Sequence, residues 1–333
     1  MRFVRPVVLL IALSLGLVGC NLGSSTTPLP ATPLTVGLGF IPSVQFAPYY
    51  RAQRQGYYRD AGLAVTFQHG IDPDLISLIG QGAVDIGMAD GTSVIAAGSQ
   101  GIPVRYAASY FALFPSVIIT RADSGIDQPA DLAGQRLGTP GRFGTGWVTV
   151  QALLGSAGLT PDDVEVVLYP DFGQAIALRE GQVEAVTGFA NNEPVQLGLE
   201  GIATHVMRVD DITPLPGPGL IVGEGTLANK REALRAFVAA TLRAMEEIVD
   251  DPAAGLDDAI NAVPELGEAP ERQLAILRAT IEMWQSPYTL AHGMGRIDRA
   301  AWQQSIDFMR ELPDSVVTPE LSADQLVTEE LLP

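Results

Sequence analysis

The stretch Leu34–Gln68, "LTVGLGFIPSVQFAPYYRAQRQGYYRDAGLAVTFQ", decides the fold. Its two ends, Leu34–Phe40 and Leu63–Gln68, are short runs rich in aliphatic and β-branched residues, bounded by Gly or Pro, and read as strands. Between them Ala47, Tyr50, Arg54, Tyr57 and Ala61 recur at helical spacing and mark one helix face. A strand, a helix and a second strand form a βα unit. The same rhythm continues with strands at Val84–Met88 and Val104–Tyr110 and short helices within Pro73–Gly82 and Gly91–Gly101. Strands alternating with helices of this length indicate largely parallel sheets.

A second series begins after Leu113–Arg121. Its strands are Leu137–Pro140, Val164–Tyr169, Glu184–Phe189 and His205–Val209. "PLPGPGLIVG", Pro214–Gly223, then breaks the rhythm, and a helix-rich end follows. There Leu234, Phe237, Leu242 and Met245 form one apolar stripe; Leu274, Leu277, Ile281 and Trp284 form another; Trp302, Ile306 and Met309 form a third. All three, tryptophans included, read as core. The expected fold class is α/β, with two lobes that are each a mostly parallel sheet flanked by helices. Lobe 1 is discontinuous, 34–120 plus 216–333, and lobe 2 is 121–215. The crossovers are expected at "ITRAD" (Ile119–Asp123) and "PLPGPG" (Pro214–Gly219), with ligand bound between the lobes at the carboxyl ends of strands.

Residues 1–20 combine Arg2 and Arg5 with an apolar run from Val7 to Val18, the pattern of a secretory signal. "LVGC" resembles a bacterial lipobox, which implies cleavage and lipidation at Cys20 and a lipid-anchored, extracytoplasmic protein. Cys20 is the only cysteine, so no internal disulfide or zinc–thiolate cluster can form. Residues 21–33 read as a Ser/Thr/Pro-rich tether. The formal net charge of −18 disfavours nucleic acid and anionic lipid as partners.

"GTPGRFGTGWVTVQALL", Gly138–Leu154, places four glycines before a helical stretch and looks built to hold a phosphate. It fails both nucleotide patterns. After Gly141 and Gly146 comes Trp147 rather than the Lys-Ser/Thr of a P-loop, and the chain's single lysine is Lys230. The spacing of Gly138, Gly141, Gly144 and Gly146 is not a dinucleotide fingerprint either. His69, His205 and His292 lack metal-pair spacing, and no G-x-S-x-G elbow exists. No enzyme, cofactor or metal is indicated.

Several segments together resemble the substrate-binding proteins of ABC importers. "VGLGFIPSVQFAPYYRAQRQGYYRDAGLAVTF" is similar to their opening, "LIGQGAVDIGMADGTSVIAAGSQGIPVRYAAS" to the next segment and "IDQPADLAGQRLGTPGRFGTG" to the entry into the second lobe. "ALREGQVEAVTGFANNEPVQL" contains an "NEP" that resembles the branch binding thiamine pyrimidine precursors. The resemblance covers about Leu34–Leu199. It implies the two-lobed fold of periplasmic binding proteins, a monomer that captures a small ligand by lobe closure, and a permease with its ATPase as partners.

On that resemblance the glycine loop presents backbone amides with Arg142, Phe143, Gly144, Thr145 and Trp147 to the ligand. Phe46, Pro48 and Tyr49 follow the first strand, and Tyr49 or Tyr50 is expected to stack on a ring or else to be core. Asp90 and Ser93 are candidate polar contacts, Asp90 alternatively a helix cap. Tyr110 and Phe114 flank a hinge. Asn191, Asn192 and Glu193 offer donors and acceptors suited to a nitrogen heterocycle, with Glu193 alternatively a first-turn helix acid. Riboflavin and a thiamine pyrimidine precursor are the expected ligands. An alkanesulfonate- or nitrate-type anion is the alternative, and a pyrimidine-precursor synthase the remote one.

Overall fold

The computed structural model describes residues 31–70 and 74–333. The expected signal peptide, Cys20 and all but the end of the tether lie outside these residues. The first strand, β1 (Thr32–Gly37), takes in Thr32 and Pro33, the tether's expected last residues. Thr32 and Pro33 pair only with β2 (Leu63–Gln68), because the pairing of β1 with β3 (Ile86–Asp90) starts at Val36. A proline is tolerated at such a half-paired strand start.

The remaining strands are β4 (Val104–Ser109), β5 (Ser116–Arg121), β6 (Arg136–Thr139), β7 (Glu165–Leu168), β8 (Ala185–Phe189), β9 (Thr204–Arg208) and β10 (Pro218–Gly223). They form two sheets, β2-β1-β3-β10-β4 and β7-β6-β8-β5-β9. In the first, β1, β2 and β3 run parallel and β10 lies antiparallel between β3 and β4. In the second, β6, β7 and β8 run parallel and β5 lies antiparallel between β8 and β9. The fold is thus two-lobed α/β with one reversed strand per sheet.

Both reversed strands follow a crossing. The chain leaves the first sheet after Ser109 and enters the second at Ser116; it leaves after Arg208 and returns at Pro218. The outward crossing therefore precedes the expected "ITRAD" segment, which is the end of β5 and the turn after it. The middle of β5, Val117–Thr120, is β-branched throughout and apolar but for Thr120, because the strand is covered on both faces. Val117 and Ile119 join the cluster of Leu178, Val186 and Leu197, while Ile118 joins that of Leu137, Val150 and Leu154. The return crossing needs its glycines. A Cβ at Gly217 would lie 2.5 Å from the Phe111 carbonyl oxygen, and one at Gly219 would lie 2.1 Å from the Tyr106 ring.

The helix-rich end covers the first sheet. The helix Glu224–Asp250 buries Leu234, Phe237 and Met245 with Tyr49 and Tyr58 from the opening βα unit. Trp302, on the helix Arg299–Glu311, packs on Tyr106 with ring centres 4.7 Å apart. Trp284 is 1% exposed.

Candidate functional site

The carboxyl ends of the parallel strands bring three groups of the expected residues into view. The glycine loop carries the first. It leaves β6 at Thr139 and enters the helix Gly144–Ser156 through Gly144, whose φ of +64° is a left-handed conformation that suits glycine. Thr145 is buried, and its hydroxyl donates a hydrogen bond to the Asp90 carboxylate at the end of β3. Thr92, in the helix Gly91–Ser99, lies 3.1 Å from the same hydroxyl. Asp90 and Thr145 thus tie the two sheets together. Burial pushes the Asp90 carboxyl above its ordinary pKa, and the Thr145 hydrogen bond partly opposes this. Ser93 is half-buried one residue further on. The loop's other end faces outward: Phe143 is 72% exposed, and the Arg142 guanidinium sits 5.2 Å over the buried Trp147 ring.

The second group follows β8. Glu193 begins the helix Glu193–Leu199, and one of its oxygens accepts the Phe189 backbone N–H at 2.7 Å. Its other oxygen accepts from the Asn192 amide at 3.3 Å, while Gln196 donates to Asn192 at 2.8 Å. Glu193 thus stands in the helix's first turn while its carboxylate holds the last N–H of β8, and burial pushes this carboxyl upward in pKa. Asn191 is 2% exposed and donates to Thr280 Oγ1 at 2.9 Å, reaching the helix Pro270–Met283.

Phe46, Tyr49 and Tyr110 form the third group, and they pack on one another inside the first lobe. The Tyr49 ring stacks on Tyr110 at 5.3 Å and on Phe237 at 6.3 Å, with Phe46 at 6.2 Å. The Tyr110 hydroxyl donates to the Gln45 carbonyl at 2.7 Å, and the Trp284 ring meets Tyr110 edge-on. Burial raises the Tyr49 and Tyr110 phenols well above their ordinary pKa. Tyr50 turns aside to His69 Nε2 at 3.1 Å, and Phe114 is buried among apolar neighbours. Pro48 sits in the first turn of the helix Ala47–Arg54.

Sequence reasoning missed a set of buried hydroxyls around the glycine loop. Thr149 donates to Ser116 at 2.7 Å, and Thr187 donates to Thr139 at 3.0 Å. Each is a lone Ser or Thr inside or at the end of an apolar run, the one signal that marks them. Among the described residues no cluster of His, Cys, Asp or Glu is placed to hold a metal ion.

A riboflavin-binding protein of Chloroflexus aurantiacus is 30% identical over 100% of this chain and 99% of its own length. A 4-amino-5-hydroxymethyl-2-methylpyrimidine phosphate synthase of Aspergillus parasiticus is 27% identical over 68% of this chain and 70% of its own. A formylaminopyrimidine-binding protein of Halalkalibacterium halodurans is 26% identical over 93% of this chain and 94% of its own. The fold is shared with the alkanesulfonate-binding protein SsuA of Xanthomonas axonopodis, with a TM-score of 0.67 at 15% identity over 90% of this chain and 99% of that one. The family model described as NMT1/THI5 like matches residues 43–255, and with that match and the full-length riboflavin-binding relative, the chain belongs to the NMT1/THI5-like family.

Proposed function

We propose that the chain is the solute-binding component of an ABC importer, that its ligand is riboflavin, and that it is exported and held at the membrane by a lipid on Cys20. The observation that carries the ligand is the end-to-end likeness to a riboflavin-binding protein; the pyrimidine-related relatives match at lower identity. The site supports it in kind. Aromatic rings, an amide and two carboxylates whose charged form burial disfavours suit an uncharged planar heterocycle better than an oxyanion, which calls for converging cations.

Binding works by closure. A ligand that touches Asp90, Ser93 and the aromatic group on lobe 1, and the glycine loop and Asn191–Glu193 on lobe 2, favours the form in which both sets reach it. Lobe 1 is then 34–115 plus 216–333 and lobe 2 116–215, the first boundary lying before β5 because that strand pairs in the second sheet. The protein acts as a monomer that delivers ligand to a permease whose ATPase is a separate chain. Catalysis is not part of this role. Lys230 pairs with Asp85 at 2.8 Å beside the start of β3, a full strand length from Asp90 at its end.

A thiamine pyrimidine precursor is the second reading, favoured by Asn192–Glu193–Pro194 and by the formylaminopyrimidine-binding relative. The test is a visible spectrum and denaturing mass spectrum of the full chain purified in detergent, followed by titration with riboflavin under fluorescence detection. Saturable quenching at one flavin per chain supports riboflavin. Absence of quenching, with saturable binding of the pyrimidine, transfers the assignment to the second reading.

A further inference from the structure

Of the five buried side-chain polar atoms without a hydrogen-bond partner among the described residues, three belong to side chains linked by a chain of contacts: Asn191 Oδ1, Trp284 Nε1 and the Tyr49 hydroxyl. Asn191 reaches Thr280, and Trp284 follows one turn later at the end of the same helix. The Trp284 ring meets Tyr110 at 5.8 Å, and Tyr110 stacks on Tyr49. The amide of Asn191 has a defined orientation. The Thr280 hydroxyl spends its proton on the Ile276 carbonyl at 2.8 Å, so its oxygen can only accept, and Asn191 must turn its nitrogen there. Its oxygen is left as a bare acceptor.

Folded proteins pair their buried polar atoms, so three unpaired ones on side chains linked by contact mark a place where another molecule's polar atoms belong. The chemistry of the set is an acceptor at Asn191, a donor-only indole N–H at Trp284, and a hydroxyl at Tyr49 that serves either way. We propose that these three residues read the hydrogen-bonding edge of the ligand, with Asn191 accepting the imide N–H of a uracil-type ring and Trp284 donating to an adjacent carbonyl. This assignment rests on the flavin reading above, whose ring system ends in such an imide.

The probes are riboflavin and 3-methylriboflavin, in which a methyl group replaces the imide hydrogen, titrated against the full chain in detergent. Wild type is expected to prefer riboflavin by roughly tenfold or more, and Asn191→Ala to reduce that preference to about twofold or less. A merely structural Asn191 would weaken both flavins equally and leave the preference intact, which overturns the proposal. Trp284→Phe keeps a ring against Tyr110 and removes the N–H; it is expected to weaken riboflavin roughly tenfold. Unchanged affinity in that variant also overturns the proposal while leaving the flavin reading standing. Failure of wild type to bind riboflavin defeats both.

Discussion

Asp90 is a carboxylate at the end of β3 whose partner, Thr145, starts a helix of the other sheet. Because burial holds its carboxyl above the ordinary value, folding favours the protonated form relative to the unfolded chain. The stability this group contributes is fully present below its unfolded pKa, near about 4, and is lost as pH rises through the folded value. Wild type should therefore lose urea stability relative to Asp90→Asn as pH is raised from about 4 towards neutrality. Parallel curves for the two proteins would show that Asp90 is not shifted. At this scale the sequence was informative where backbone geometry constrained it. The glycine spacing after β6 excluded a nucleotide loop and placed a helix after the fourth glycine; the helix in fact begins at Gly144 and takes in Thr145 and Gly146. The aromatic candidates were less legible, since a tyrosine after a strand has the same signature whether it faces ligand or core. Phe46, Tyr49 and Tyr110 pack on each other. Trp284 lay in an apolar stripe and read as core, which its burial matches; only the three-dimensional neighbourhood reveals that its N–H is unpaired.

Elements were read best where periodicity was unbroken. Leu63–Gln68 is β2 to the residue, and β4 ends one residue short of the expected strand. β10 was hidden because Pro218 and Gly219 open it, so its first residues looked like more of the preceding turn. Its glycine is required by the Tyr106 ring rather than by a turn. The closing helices depend on their ends as well as on their stripes. Asp298 Oδ1 accepts the backbone N–H groups of Ala300 and Ala301, each at 3.0 Å, and so caps the helix that carries Trp302 and Ile306 into the core. Asp298→Ala should cost about 1 kcal/mol and lower Tm by about 2–4 °C in a calorimetric scan, with flavin affinity little changed. An unshifted Tm would mean that the cap contributes nothing there.

At the scale of the whole molecule, the Thr145–Asp90 contact joins the two sheets at one place. Thr145→Val removes the donor and leaves a buried carboxylate without it. The ligand-free protein should then populate a more open form, seen as a larger radius of gyration in X-ray scattering that riboflavin reverses. Identical scattering from the two free proteins would show that closure does not depend on this contact. The alternation of strands and helices made the two-lobed plan readable, and "PLPGPG" falls at the return crossing, but the position of the outward crossing was not legible. A chain that changes sheet through a short irregular segment leaves little compositional trace, and β5 is buried along nearly its whole length like a strand within a lobe. The reversed strands set an order of assembly during synthesis. The second sheet draws all its strands from residues 116–208 and is complete once that stretch has left the ribosome. The first sheet must wait, with β3 and β4 exposing open hydrogen-bonding edges, until β10 arrives to fill the gap between them. A truncation shortly before Pro218 would thus leave a finished second lobe attached to a first lobe split in two.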